Sequence, residues 1–144
     1  MDEKIESILR LERLAFEEIQ FTRDTSSASG TIEYEMNFNR SVGIADDGNH
    51  FAVKLIANLW SKTPNALRIK VSLIGYFYCE CEDTTLKDTL IKYNTLSILF
   101  PYIRSQISLI TAQPDLSPIV LPPVNIVAMF EAVDNNDSNS DSRS

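Results

Sequence analysis

The side chains that most often perform chemistry are few in this chain. A serine or cysteine triad would have to use His50, the sole histidine, which lies in or beside a turn next to Asp46 and Asp47. That position is typical of a solvated loop histidine. Cys79 and Cys81 would need further ligands to hold a metal, and the histidine is about thirty positions away. We therefore interpret the cysteines as two free thiols, buried or half-buried, and predict no metal site.

Carboxylates are plentiful, but they stand in alternating or terminal patterns that are typical of solvated faces. Glu33 with Glu35, and Glu80 with Glu82, are examples. A glycosidase uses a pair of carboxylates, yet nothing in these spacings selects one pair. The chain also lacks the GxxxxGK[ST] and GxGxxG patterns, and its four glycines are too scattered to cradle a phosphate. The sequence therefore predicts a protein that is not an enzyme and uses no cofactor.

Length and composition indicate one globular domain that could position such side chains. The chain has 144 residues, of which 44% are hydrophobic and 23% are charged. Its net charge of -7 repels phosphate backbones, so we expect no nucleic-acid partner. The densest apolar stretch near the middle, Leu96 to Tyr102, is far shorter than the roughly 20 residues that a bilayer requires. No stable membrane insertion is expected, and since the N-terminus lacks the apolar core of a secretory signal, we expect a cytoplasmic location.

Three segments give strong signals of β-strands, and the first of them alternates between apolar and polar residues with a period of two. They are residues 31–39, 50–61 and 66–80, joined by turn-rich residues 46–49 and 62–65, and they predict an antiparallel meander. The N-terminal segment is ambiguous, because its first part fits a helical period and residues 14–21 fit a strand with one irregularity.

After Glu82 the apolar period changes to three or four residues, which indicates helices. We predict a short helix capped by Asp83 or Thr84, a break near Asn94, and a main helix that ends near Ala112. Prolines forbid regular structure over the next ten positions, and a last helical turn follows over residues 125–132. Residues 134–144 contain no apolar side chain and are expected to form a mobile, disordered tail, which leaves residues 1–133 as the domain.

The sequence contains more large apolar side chains than a small sheet can bury. Four large apolar residues alternate with polar ones in the first predicted strand, and we call these four the stripe: Ile32, Tyr34, Met36 and Phe38. The stripe is either ordinary core or part of a subunit interface or groove for apolar segments of another chain. Methionines such as Met36 and Met129 suit an adaptable surface, because their side chains repack readily.

A resemblance to the SecB family of bacterial export chaperones favours the groove. Residues 98–130, ILFPYIRSQISLITAQPDLSPIVLPPVNIVAMF, resemble the C-terminal half of that family, which shows LFPYxR and later LxPVNFxxLF. Ile126 stands where the family usually has Phe. Several uncommon residue types match at fixed spacing: Leu99, Phe100, Pro101, Tyr102, Arg104, Pro118, Leu121, Pro123, Val124, Asn125, Ala128, Met129 and Phe130. Weaker similarity upstream, at Arg13, Leu14, Glu18, Ile19 and Phe21, resembles the family's first strand.

The resemblance implies an α+β fold, with a four-stranded antiparallel sheet followed by a long helix and a short C-terminal helix. It implies a dimer or tetramer that acts as a holdase without ATP and binds unfolded or nascent polypeptides, for protein export. The groove would use the stripe on the second strand, with Met129 and Phe130 of the final helix beside it.

The resemblance also implies SecA as a partner, bound partly through acidic groups on the exposed sheet. Glu18 keeps one such group and is the predicted translocase contact. Lys70 stands where the family has another acid, Arg68 replaces a leucine, and Thr22 replaces a third acid. The alternative is therefore a SecB-like adaptor, or a dedicated chaperone of one partner such as an antitoxin, without a SecA-linked role.

Overall fold

The computed structural model describes residues 7–26, 32–63 and 66–141, and within the last helix it describes side chains as far as residue 136. In this part of the chain, a sheet of four antiparallel strands is followed by helices that cover one of its faces. The α+β architecture is confirmed. The strands lie in the spatial order β1-β4-β3-β2 and span β1 (Ser7–Arg23), β2 (Tyr34–Ile44), β3 (His50–Ser61) and β4 (Leu67–Cys81).

The meander predicted for the three later strands is confirmed. β2 begins at Tyr34 and continues to Ile44, beyond the end predicted at Asn39. A tight turn joins β2 to β3, in which Gly48 adopts a φ of 72°, a value that side chains rarely tolerate. The Asp47 carboxylate accepts the backbone N–H of Asn49 at 2.9 Å and holds this turn. Part of the predicted second turn, residues 64–65, lies outside the described residues.

The ambiguous N-terminal segment is a strand throughout its described length. β1 pairs with β4 in antiparallel register from Ser7 opposite Cys81 to Arg23 opposite Leu67. Register shifts after Leu11 and Phe16 give two irregularities where the sequence indicates one. The backbone of β4 satisfies the hydrogen bonds of this segment, and that long-range pairing outweighs the local helical period.

Two helices form a continuous unit after β4. The first, α1 (Thr84–Thr89), is capped by Asp83, whose carboxylate accepts the backbone N–H of Thr85 and Leu86. A π-helical turn over Leu90–Asn94 takes the place of the predicted break and leads into α2 (Thr95–Thr111). In the described residues, no helix has the length and apolar character needed to cross a membrane.

Residues 112–125 follow as an irregular segment that α2 holds in place. The Thr111 hydroxyl accepts the backbone N–H of Ile119 at 2.8 Å, and the Arg104 guanidinium donates to the Leu121 carbonyl at 3.2 Å. These bonds satisfy backbone groups that proline-rich sequence cannot pair within itself.

The last helix, α3 (Ile126–Asp141), is longer than the turn predicted over residues 125–132. Its backbone is helical through residues 134–141, which the sequence assigns to a tail. The Asp134 carboxylate accounts for part of this difference, because it binds Arg40 on β2 at 2.9 Å and fastens α3 beyond its apolar part.

The core lies between the sheet and α2. Alternate residues of β3 and β4 are buried on the face toward the helices, and α2 contributes Leu96, Leu99, Phe100, Ile103 and Ile107. The sheet and α2 approach closely at Gly75, where an added Cβ would lie 2.8 Å from Leu99 Cδ2 and 2.7 Å from the Phe77 ring. Both cysteines are buried on this same face of β4.

Candidate functional site

Three residues of the stripe lie on the helix-covered face of β2, at the edge of the sheet, and Ile32 lies just before this strand. Met36 stands opposite Leu59, and Phe38 stands opposite Ala57. All four side chains of the stripe are half-buried and pack against the core from its edge. The polar residues that alternate with them are exposed on the other face: Glu33, Glu35, Asn37 and Asn39. The predicted alternation thus gives β2 one apolar face, and the strand order places that face at the edge of the sheet.

The end of the stripe nearest the middle of β2 is partly occupied by the protein's own helices. The Phe38 ring packs edge-on against Phe100 of α2, with centroids 5.6 Å apart. Of the two predicted groove residues on α3, Phe130 is buried at 8% exposure and Met129 is 40% exposed. Phe130 therefore packs into the core beside this region, while Met129 remains partly exposed.

Arg40 interrupts the apolar series on the same face and forms a contact that we call the clasp, made of Arg40, Tyr93 and Asp134. The Arg40 Nη2 lies 2.9 and 3.0 Å from the two oxygens of Asp134, and Nη1 donates to the Lys92 carbonyl at 3.1 Å. The Tyr93 hydroxyl donates to Asp134 at 2.6 Å. The Arg40 side chain is only 14% exposed, so the clasp excludes most water.

The clasp changes the titration of both of its acidic partners. Burial by itself would raise the pKa of Asp134, but the hydrogen bonds from Tyr93 and Arg40 and the charge of Arg40 outweigh it and hold the pKa below its ordinary value. The bond that Tyr93 donates to this carboxylate raises the pKa of Tyr93.

Beyond the clasp, the same face of β2 opens into a groove of about 670 Å³, which we call the distal groove. Its apolar lining comes from Val42 and Ile44 of β2, Phe51 of β3 and Ile91 of the π-helical turn. Ile44 is 68% exposed and Val42 is 38% exposed. Sequence analysis missed these residues because Arg40 breaks the alternation, although the period of two continues past it.

One cation is held at the wall of the distal groove. The Lys87 ammonium donates to the Gly48 carbonyl at 2.8 Å and to the Asn49 Oδ1 at 2.9 Å, and it lies 5.6 Å from the centre of the Phe51 ring. These contacts fix Lys87 of α1 against the turn between β2 and β3.

The predicted translocase contact lies on the opposite face of the sheet. Glu18 forms an ion pair with Lys70 at 3.2 Å and accepts a hydrogen bond from the Gln20 amide at 2.5 Å. Beside it, Thr22 pairs in register with Arg68. The carboxylate is thus accompanied by a cation on the neighbouring strand, at the position where the sequence departs from the family pattern.

His50 is exposed, as predicted, but it is the first residue of β3 rather than a loop residue, and its side chain contacts two carboxylates. Its Nδ1 contacts Asp47, and its Nε2 lies 3.3 Å from Glu12. The backbone N–H of Asn49, followed by the bond to His50, lowers the pKa of Asp47 to about 2. In the residues that the structure describes, no cluster of three metal-ligating side chains is present.

Comparison with known proteins identifies related sequences and folds. The model of the family described as preprotein translocase subunit SecB matches residues 9–137. An uncharacterised protein of Methanocaldococcus jannaschii is 33% identical over 75 residues, which are 52% of this chain and 47% of that protein. The chain therefore spans about half the length of this curated relative.

A solved structure shares the fold. It is a SecB-like chaperone of Mycobacterium tuberculosis in complex with a peptide from an antitoxin. The alignment covers 81% of this chain and 90% of that one, with a TM-score of 0.66 and 15% sequence identity. At 15% sequence identity, this match shows a shared arrangement of strands and helices and no more.

Proposed function

The chain belongs to the SecB family, and from this we propose that it is an ATP-independent holdase, which binds unfolded or nascent polypeptides in an apolar groove along β2. Members of this family are chaperones rather than enzymes, in keeping with the absence of a recognisable catalytic motif from the sequence. We place its action in the cytoplasm and expect the working form to be a dimer or tetramer.

The observation that carries the proposal is an apolar face left open at a sheet edge. The stripe is half-buried, and the distal groove continues it to Ile44, which is 68% exposed. Burying one client side chain the size of Leu or Phe stabilises a complex by roughly 1.5–3 kcal/mol. A few such contacts offset the cost of ordering an extended segment.

The edge position of β2 provides the part of binding that is independent of client sequence. Among the described strands, β2 pairs only with β3, so its outer edge has no strand partner. An extended client can add to such an edge through backbone hydrogen bonds, while its alternate side chains enter the groove. A folded protein has already paired these groups, so unfolded chains are favoured.

The test combines a holdase assay with variants of the distal groove. We expect the wild-type protein, in stoichiometric excess, to delay refolding of a slowly folding substrate and to suppress its aggregation. Val42→Ser with Ile44→Ser should weaken client binding at least tenfold, because two exposed contacts of roughly 1.5–3 kcal/mol each are removed. Circular dichroism and size-exclusion chromatography should show an unchanged fold and assembly.

A matched control removes apolar surface elsewhere. Leu109→Ser with Val120→Ser changes two residues that are 68% and 70% exposed, one on α2 and one in the irregular segment after it. This double variant should bind clients as the wild type does. The proposed groove would be contradicted if both double variants lost client affinity equally, or if the wild type did not delay refolding of the substrate.

The second candidate is a dedicated chaperone of one partner, such as an antitoxin, without a SecA-linked role. The ion pair between Glu18 and Lys70 favours it, because the cation neutralises the acidic group through which SecA would be met. The Mycobacterium tuberculosis SecB-like chaperone in complex with an antitoxin peptide gives this role a precedent on the same fold.

Identification of bound clients separates the two roles. Cross-linked complexes captured from the native cell and analysed by mass spectrometry should contain many unrelated polypeptides for a general holdase, and one dominant polypeptide for a dedicated chaperone. A direct SecA titration of the wild type and of Lys70→Glu examines the export role. Restoring the acid should strengthen SecA binding if Glu18 is the contact.

A further inference from the structure

The distal groove is more basic than the protein around it. The chain carries a net charge of -7, yet the groove lining includes Arg40, Lys87 and Lys92 against one carboxylate, Asp88. Two of the three cations already have acidic partners: Arg40 binds Asp134 at 2.9 Å, and Lys92 lies 3.1 Å from Asp88. Among the residues that the structure describes, Lys87 has no carboxylate within 4 Å.

The surroundings of Lys87 hold its charge in a defined position. An ammonium group has three N–H donors, and two of them bind the neutral oxygens of Gly48 and Asn49. Neither oxygen carries a formal charge, so the cation keeps its full charge and one further donor. The Phe51 ring beside it excludes water from one side, which strengthens any new ion pair formed there.

We infer that the distal groove selects apolar client segments that carry an acidic side chain, with Lys87 binding that carboxylate while Val42 and Ile44 contact the flanking apolar residues. This inference rests on the proposed client binding and specifies its sequence preference. A carboxylate is the complementary group for an ammonium that lacks an anion, and a client side chain brings it into the groove together with the apolar residues.

The test uses three labelled peptides of ten residues with both termini blocked. Each has alternating valine and isoleucine with serine spacers, and the peptides differ only in a central Glu, Gln or Lys. Fluorescence anisotropy measures their affinities for the full-length protein. We expect the Glu peptide to bind roughly fivefold to tenfold more tightly than the Gln peptide, because only the carboxylate forms an ion pair with Lys87, and the Lys peptide to bind most weakly.

Variants assign the preference to Lys87. Lys87→Gln should abolish the preference for Glu over Gln, Lys87→Arg should retain it, and Lys62→Gln, a change at an exposed lysine beyond β3, should leave it unchanged. Because Lys87 also supports the turn at Gly48, circular dichroism of each variant accompanies the titrations. The comparison of peptides on the wild type is decisive even where a variant is unstable.

The outcomes separate this inference from the proposed function. Equal affinities for the three peptides, alongside normal suppression of aggregation, would overturn the acidic preference and leave the holdase in place. The same holds if Lys87→Gln keeps the full preference for Glu. Failure of the wild type both to bind any peptide and to suppress aggregation would overturn the proposed function itself.

Discussion

The clasp between β2 and α3 provides a quantitative test of how this surface is held. The perturbation is Asp134→Asn, which removes the negative charge and keeps the size of the side chain. In the structure, Arg40 is 14% exposed and Asp134 is 29% exposed, and the Tyr93 hydroxyl makes a further bond at 2.6 Å. The substitution therefore leaves a largely buried guanidinium without its counter-charge.

The expected magnitude follows from these contacts. A hydrogen bond to a charged group contributes about 1.5–3 kcal/mol, and a partner left unpaired in a buried place adds to the loss. Because part of the pair is reached by water, we expect the free energy of unfolding to fall by about 1–2 kcal/mol at neutral pH. Release of α3 from β2 should also expose Phe130 and the stripe.

The contribution of Asp134 to the free energy of unfolding depends on pH in a definite direction. The pKa of Asp134 in the folded protein lies below the ordinary value of 3.8, so the carboxylate binds protons more readily when the chain is unfolded. Its contribution to stability is fully present above 3.8 and is lost as the pH falls through the lower folded value. The difference between the wild type and Asp134→Asn should therefore be constant from pH 8 to pH 5 and shrink below about pH 4.

Urea denaturation of the wild type, Asp134→Asn, Arg40→Met and the double variant measures the coupling between the two side chains. Binding of a hydrophobic dye reports exposure of the stripe. Glu131→Gln removes the same charge from an exposed position on α3 and serves as the control. A coupling near zero, or the same loss for Glu131→Gln, would refute the clasp as a stabilising contact.

Two further predictions concern the packing of α2 on the sheet and of the segment that follows α2. Gly75→Ala should lower the free energy of unfolding by about 1–3 kcal/mol, because the new methyl group meets Leu99 Cδ2 at 2.8 Å. Urea denaturation measures this, with Gly43→Ala as the control, since the nearest atom there is 3.9 Å away. Thr111→Val should cost about 1–3 kcal/mol, because the buried N–H of Ile119 loses its acceptor.

Each of these predictions has a matched outcome that would contradict it. Gly75→Ala and Gly43→Ala with equal stabilities would mean that the contact with Leu99 relaxes without cost. Thr95→Val removes an equally buried hydroxyl that donates to a helical carbonyl, without accepting an N–H from another segment. If it destabilises the protein as much as Thr111→Val does, the bond to Ile119 has no special part in holding residues 112–125.

Much of the architecture was accessible from the sequence because it depends on local periodicity. Strict alternation in residues 31–39 identified a strand and the face that its apolar residues occupy, and the period of three to four after Glu82 identified α2. The run of matched residues from Leu99 to Phe130 then indicated the family, which the comparison confirmed. Local pattern also identified His50 as an exposed residue beside a turn.

Features that depend on distant residues were decided only by the tertiary structure. Local periodicity left the N-terminal segment open between helix and strand; the family resemblance favoured a strand, and pairing with the backbone of β4 makes it one. The helix α3 continues past its apolar part with Asp134 bound to Arg40 on β2. The distal groove combines β2, β3 and the π-helical turn, and Lys87 reaches it from α1. Sequence spacing gives the face on which a side chain lies, but which elements meet across that face is fixed by packing between residues far apart in the chain.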